Sequence, residues 1–80
     1  MSQSLQDTKL LKQLGWRIKR FRLEARMTQE DLADLAGVHR TYVGMVERGE
    51  KNVTFLSVQK IATALDISLS ELFCELVCDE

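Results

Sequence analysis

The chain contains no proline, and its four glycines stand singly. That composition excludes the Pro/Gly-rich linkers that separate domains, and no low-complexity run or internal repeat is present, so residues 1–80 read as one domain. No apolar run approaches the roughly 18–20 residues of a membrane span. The opening stretch MSQSLQDTKL lacks the apolar h-region of a secretory signal, so the expected location is cytoplasmic, with no membrane partner. Histidine occurs once, at His39, and cysteine twice, at Cys74 and Cys78. A metal site would want more ligands than these supply. The two cysteines sit four apart in a helical pattern, where side chains stand about 5–6 Å apart at Cβ, and a disulfide there would fight helix geometry. They read as reduced, mostly packed thiols. Paired carboxylates in a cleft, a nucleophile beside a base and a phosphate-cradling glycine loop are all missing, so no enzyme, cofactor or small-molecule substrate is expected.

Charge of one sign is also lacking, because the net charge is only −1. Its distribution is uneven. Residues 1–51 carry ten Lys/Arg against seven Asp/Glu, a balance of +3, whereas residues 52–80 carry Lys60 against five acids, a balance of −4. A binding partner responds to the local field, so a nearly neutral chain can still present a basic face.

Every segment repeats its apolar residues at helical spacing, and nothing alternates at period two for long enough to make a strand. The expected fold is all-α, a compact five-helix domain. The first helix is expected over residues 8–25, with Leu11, Leu14, Ile18, Phe21 and Ala25 as its apolar stripe. Thr28, with Asp31 three residues on, caps a second helix over 29–36 whose repeat is Leu32, Leu35 and Ala36, and Gly37 ends it. The third covers 40–47, closed by RGEKN with Gly49 as its left-handed residue. Thr54 caps a fourth, with Leu56, Val58, Ile61, Ala64 and Leu65 inward. SLSE, residues 68–71, is a capping box for a fifth, with Leu69, Leu72, Phe73 and Leu76 on one side.

The third helix carries the functional signal. On a wheel of 100° per residue, Val43 and Val46 fall on one side, with Tyr42 at the margin. Arg40, Thr41, Gly44, Met45 and Arg48 fall together on the other, within an arc of about 140°. Arginine reads guanine bidentately, threonine can bond to or touch a base, and an apolar side chain can lie against a thymine methyl. Gly44 would let the helix approach DNA closely or would let the second helix pack over it, and both readings stand. A short helix, a turn at Gly37 and a second helix with this face make a helix-turn-helix over about residues 28–48.

Residues 14–73 resemble the lambda-repressor/Cro family of helix-turn-helix DNA-binding domains, also called the xenobiotic-response-element family. The resemblance rests on LGWRIKRFR, MTQEDLADLAGV, RTYVGMVERGEKN and IATALDISLSELF, in the right order. It implies a five-helix domain that docks its third helix in the DNA major groove as a dimer. By position, it implies that Arg40, Thr41 and Met45 touch base edges, with Gly44 among them. Gln29 matches a phosphate-bonding glutamine that often braces a base-contacting residue, and Arg48, Lys51 and Asn52 match holders of the sugar–phosphate backbone. His39 stands where the family often has serine, either capping the helix or touching phosphate. Tyr42 either contacts the DNA backbone or packs on the neighbouring helix. The resemblance also pairs Arg22, on the inward stripe, with Glu47 as an ion pair that fixes the angle of the third helix. Trp16 falls off the first helix's stripe, and partial packing against the amino-terminal segment is its default reading.

The stretch HRTYVGMVERGEKN and the chain length look like the controller proteins of restriction–modification systems. The expected function is therefore a sequence-specific transcriptional regulator, a homodimer on pseudo-palindromic double-stranded DNA operators, with RNA polymerase as a further candidate partner. Alternatives are a phage-type repressor or antitoxin and, from another class, a helical protein-interaction module. The dimer surface is expected in residues 54–80, from Leu56, Ile67, Leu69, Leu76 and Val77, unless Leu5 and Leu10 cover those residues within the monomer.

Overall fold

The computed structural model of the chain describes residues 5–74 and 76, with the backbone alone at 5–7. Val77, Cys78 and the side chain of Leu5 lie outside the described residues. Five helices follow in order: α1 Leu5–Glu24, α2 Gln29–Ala36, α3 Arg40–Glu47, α4 Phe55–Ala64 and α5 Leu69–Phe73. No strand occurs among the described residues.

The caps explain the punctuation. Thr28, Thr54 and Ser68 each accept from the backbone N–H three residues on, and Asp31, Ser57 and Glu71 each accept the N-cap's own N–H. These are three reciprocal capping boxes. The helix ends share one device as well. Arg26, Gly37, Gly49 and Asp66 all have φ between 60° and 73°. In each case the following N–H reaches back to a carbonyl five residues earlier: Met27 to Arg22, Val38 to Ala33, Glu50 to Met45 and Ile67 to Ala62. Four helices thus stop in the same left-handed turn, and Met27, Val38 and Ile67 tuck against the core just after it. Glycine marks only two of these stops. Arg26 and Asp66 adopt the same backbone with a side chain attached, so the ends of α1 and α4 carry no sequence flag.

The core takes residues from every helix: Ile18, Leu32, Val43, Val46, Ile61 and Leu72 are fully buried. Ala33 and Ala62 join them, whereas the expected Leu35 is exposed on α2 and Leu56 on α4. Ala25 is exposed, and α1 begins at Leu5 and ends at Glu24, so its inward stripe stops at Phe21. Ala64 and Leu11 are only half-buried, and Phe73 is exposed. The Cys74 thiol is exposed rather than packed. Trp16 is exposed as well, lining a shallow groove with Leu76, and the amino-terminal segment expected against it lies largely outside the described residues.

Two features set the frame around α3. A Cβ at Gly15 would overlap the carbonyl oxygens of Val46 and Glu47, so α1 and α3 cross backbone to backbone. Arg17 donates from Nε to the Leu72 carbonyl at 2.8 Å and from Nη2 to the Glu71 carbonyl at 2.7 Å, closing the carboxy-terminal end of α5.

Candidate nucleic-acid interface

Helix α3 is held from behind by a buried ion pair. Arg22 Nε donates to Glu47 Oε2 at 2.6 Å and Nη2 donates to Oε1 at 3.0 Å, with side chains only 8% and 2% exposed. Nη1 donates to the Met27 carbonyl at 2.8 Å, and Gln29 Nε2 donates to Glu47 Oε1 at 3.0 Å. Among the described residues no buried side-chain nitrogen or oxygen lacks a partner. A guanidinium and a carboxylate this far from water need such complete pairing, because either one alone would carry a desolvation cost of several kcal/mol. The network ties α1, α2 and α3 together at one point and thereby sets the attitude of α3.

The front of α3 is open. Arg40, Thr41 and Arg48 are exposed and Met45 is half-buried, with exposed Lys51 and Asn52 following in the loop. His39 caps the helix: its Nδ1 accepts from the Thr41 N–H at 3.1 Å. A neutral ring that accepts at Nδ1 carries its proton on Nε2, which leaves an exposed side chain with a donor.

Three expected site residues also make contacts within the chain. Gly44 is buried rather than open: a Cβ there would lie 3.2 Å from Arg48 Nη1 and 3.5 Å from Gln29 Oε1. Gln29 lies over this position, at ordinary contact distance from where a Cβ would stand. Tyr42 is half-buried, and its hydroxyl shares a 2.7 Å hydrogen bond with the Ser57 hydroxyl on α4, so it joins two helices. Gln29 braces the buried Glu47.

Two carboxylates were absent from the sequence reading. Glu30 Oε1 lies 3.7 Å from Arg40 Nη1, and Glu50 Oε2 accepts from Arg48 Nε at 3.0 Å. The hydrogen bond and charge of Glu50 raise the pKa of the Arg48 guanidinium above its ordinary value. Glu50 follows Arg48 by two residues and could have been noticed; Glu30 comes from another helix and leaves no mark in the periodicity of α3.

Comparison with known proteins resolves the family. The helix-turn-helix family model matches residues 18–72. The control protein C.SmaI of Serratia marcescens is 41% identical over 59 residues, covering 74% of this chain and 70% of that one. The chain belongs to the helix-turn-helix controller proteins of restriction–modification systems. Solved controllers share its fold. The restriction-modification controller protein C.AhdI from Aeromonas hydrophila has a TM-score of 0.77 and 48% identity, covering 79% of this chain and 96% of that one. C.Esp1396I, solved as a tetramer with its natural 35 base-pair operator, has a TM-score of 0.79 and 38% identity over 92% of each chain. Controllers of this family are helix-turn-helix transcription regulators, and the match spans α2, α3 and α4 of this chain.

Proposed function

We propose that this controller binds a pseudo-palindromic operator as a symmetric homodimer and regulates its own restriction–modification genes. The observation that carries the reading is α3 itself, whose exposed Arg40, Thr41 and Arg48 stand opposite a buried, fully paired Arg22–Glu47–Gln29 anchor. In this reading Arg40 and Thr41 reach base edges with Met45 beside them. Arg48, Lys51, Asn52 and the Nε2 donor of His39 hold phosphates, which fixes register without reading sequence. No helix among the described residues is long and apolar enough to cross a membrane. Work on DNA in the cytoplasm, and recruitment of RNA polymerase when the bound dimer activates, complete the proposal.

A single helix-turn-helix reads too few base pairs to mark one operator, so two copies are needed. Leu56 is 69% exposed and its neighbour Phe55 is 67% exposed, which supports an interface at the start of α4. Ile67, Leu69 and Leu76 are half-buried against the monomer's own core, and Leu10 lines an apolar groove beside Leu76. Those three are therefore weaker interface candidates than Leu56. Selection of duplexes from a random pool by the full chain tests the reading. The expected product is a two-fold motif, and failure to enrich any motif would refute it. In sedimentation at micromolar concentration the parent should be dimeric and Leu56→Asp monomeric with unchanged helicity. A strictly monomeric parent would refute the dimer, and a dimeric Leu56→Asp would move the interface elsewhere.

A further inference from the structure

Each end of α3 carries an arginine resting on a carboxylate from a neighbouring element. At the start, Arg40 lies 3.7 Å from Glu30, the second residue of α2; at the end, Arg48 donates at 3.0 Å to Glu50, in the loop after Gly49. Folding does not require either contact. All four side chains are more than half exposed, and none belongs to the core. Glu30 also suits the positive end of α2, but any acid would gain that benefit without an arginine beside it.

The chemistry of the two ligands available to an arginine separates their effects. Phosphate attraction is the same on every duplex, and a carboxylate fixed beside the guanidinium subtracts from it everywhere. A guanine edge is different. It takes two donors of the five-donor fork through O6 and N7, leaving others for a carboxylate, so Glu30 can stay on Arg40 while the base is read. We propose that Glu30 is a specificity-determining residue of the DNA face, whereas Glu50 sets how tightly that face holds any duplex. Glu30 weakens binding to unmatched DNA by offsetting the Arg40 charge while leaving donors of the fork free for a matched base, and Glu50, beside a phosphate-holding arginine, weakens binding to every duplex alike. The proposal rests on the DNA-binding reading above.

The test compares Glu30→Gln, Glu50→Gln and Glu24→Gln in the full chain. Glu24 pairs with Arg20 at 3.3 Å on α1, so its variant removes the same charge from an exposed ion pair outside α3. Fluorescence anisotropy is read on a random duplex and on the duplex selected by the parent, at matched low salt. Glu30→Gln and Glu50→Gln should each tighten random-duplex binding about threefold; operator affinity should move less in Glu30→Gln, so that its operator-to-random ratio falls, and by the same factor in Glu50→Gln, which keeps the parent's ratio. Glu24→Gln should leave that ratio unchanged, and all three should melt with the parent. Unchanged random-duplex binding, equal tightening on both duplexes by Glu30→Gln, or the same fall in ratio from Glu50→Gln or Glu24→Gln would each overturn the proposal. A parent that selects no duplex overturns the DNA-binding reading and this inference with it. A parent that selects one while Glu30→Gln keeps its ratio overturns this inference alone.

Discussion

The back and the front of α3 carry the same chemistry in opposite surroundings. Behind the helix, Arg22 and Glu47 form a two-bond ion pair with both side chains withdrawn from water. In front, Arg48 meets Glu50 at 3.0 Å and Arg40 meets Glu30 at 3.7 Å, with every side chain more than half exposed. Behind, the interaction is strong because water is excluded, and the same exclusion makes losing one partner severe. In front, water and salt screen the charges, so each contact is weak and readily exchanged for phosphate or a base. Burial thus separates an ion pair that places a helix from ion pairs that water keeps weak and exchangeable.

The sharpest way to break the comparison is at the back. Glu47→Gln leaves the Arg22 charge without a counter-ion in a buried site and should destabilise the fold by about 3 kcal/mol, weakening DNA binding through a loosened or misplaced α3. Thermal melting checks this, and a variant that melts like the parent would remove the asymmetry between back and front. Replacing both partners together, Arg22→Met with Glu47→Leu, should recover most of that stability, because no charge is then left unpaired. In front, Arg48→Ala and Lys51→Ala should leave melting unchanged. Each should weaken operator and random-duplex binding alike, flattening the salt dependence by about one unit of slope. A salt titration decides it, and a loss confined to the operator would make that residue a base reader.

The smallest expected effect concerns the turns. Arg26 holds φ 61° where Gly37 and Gly49 hold 73°. A side chain in that backbone costs roughly 1–2 kcal/mol, part of which glycine would lose again through unfolded-state entropy. Arg26→Gly should therefore stabilise the chain by about 0.5 kcal/mol in urea unfolding, and destabilisation would mean that the Arg26 side chain makes a compensating contact.

These turns also mark where the sequence was legible. Thr28, Gly37 and Gly49 bound α2 and α3 because capping boxes and left-handed glycines are local chemistry, visible in a few residues. Arg26 and Asp66 make the same turn without announcing it. Periodicity located Ile18, Val43 and Ile61 in the core but placed Leu35 and Leu56 there as well, because a stripe shows which residues share a face and not how far the next helix covers it. The same limit governed the candidate site. Arg40, Thr41 and Arg48 share a face by helix geometry alone. The cover that Gln29 gives Gly44, the bond from Tyr42 to Ser57 and the approach of Glu30 to Arg40 all come from neighbouring helices. The Arg22–Glu47 pair became visible from family resemblance, since no spacing within one helix joins residues 25 apart.

The central claim is that the exposed face of α3 reads bases while the buried pair only places it. Arg40→Ala tests that claim most directly, because Arg40 is exposed and lies outside the buried network. Operator and random-duplex affinities of parent and variant should be measured side by side at one salt concentration. The account predicts that Arg40→Ala costs about 1–3 kcal/mol on the operator and much less on random DNA, collapsing the ratio between them with no change in melting. Equal losses on both duplexes would contradict it, reducing Arg40 to a phosphate contact and moving base readout to another residue.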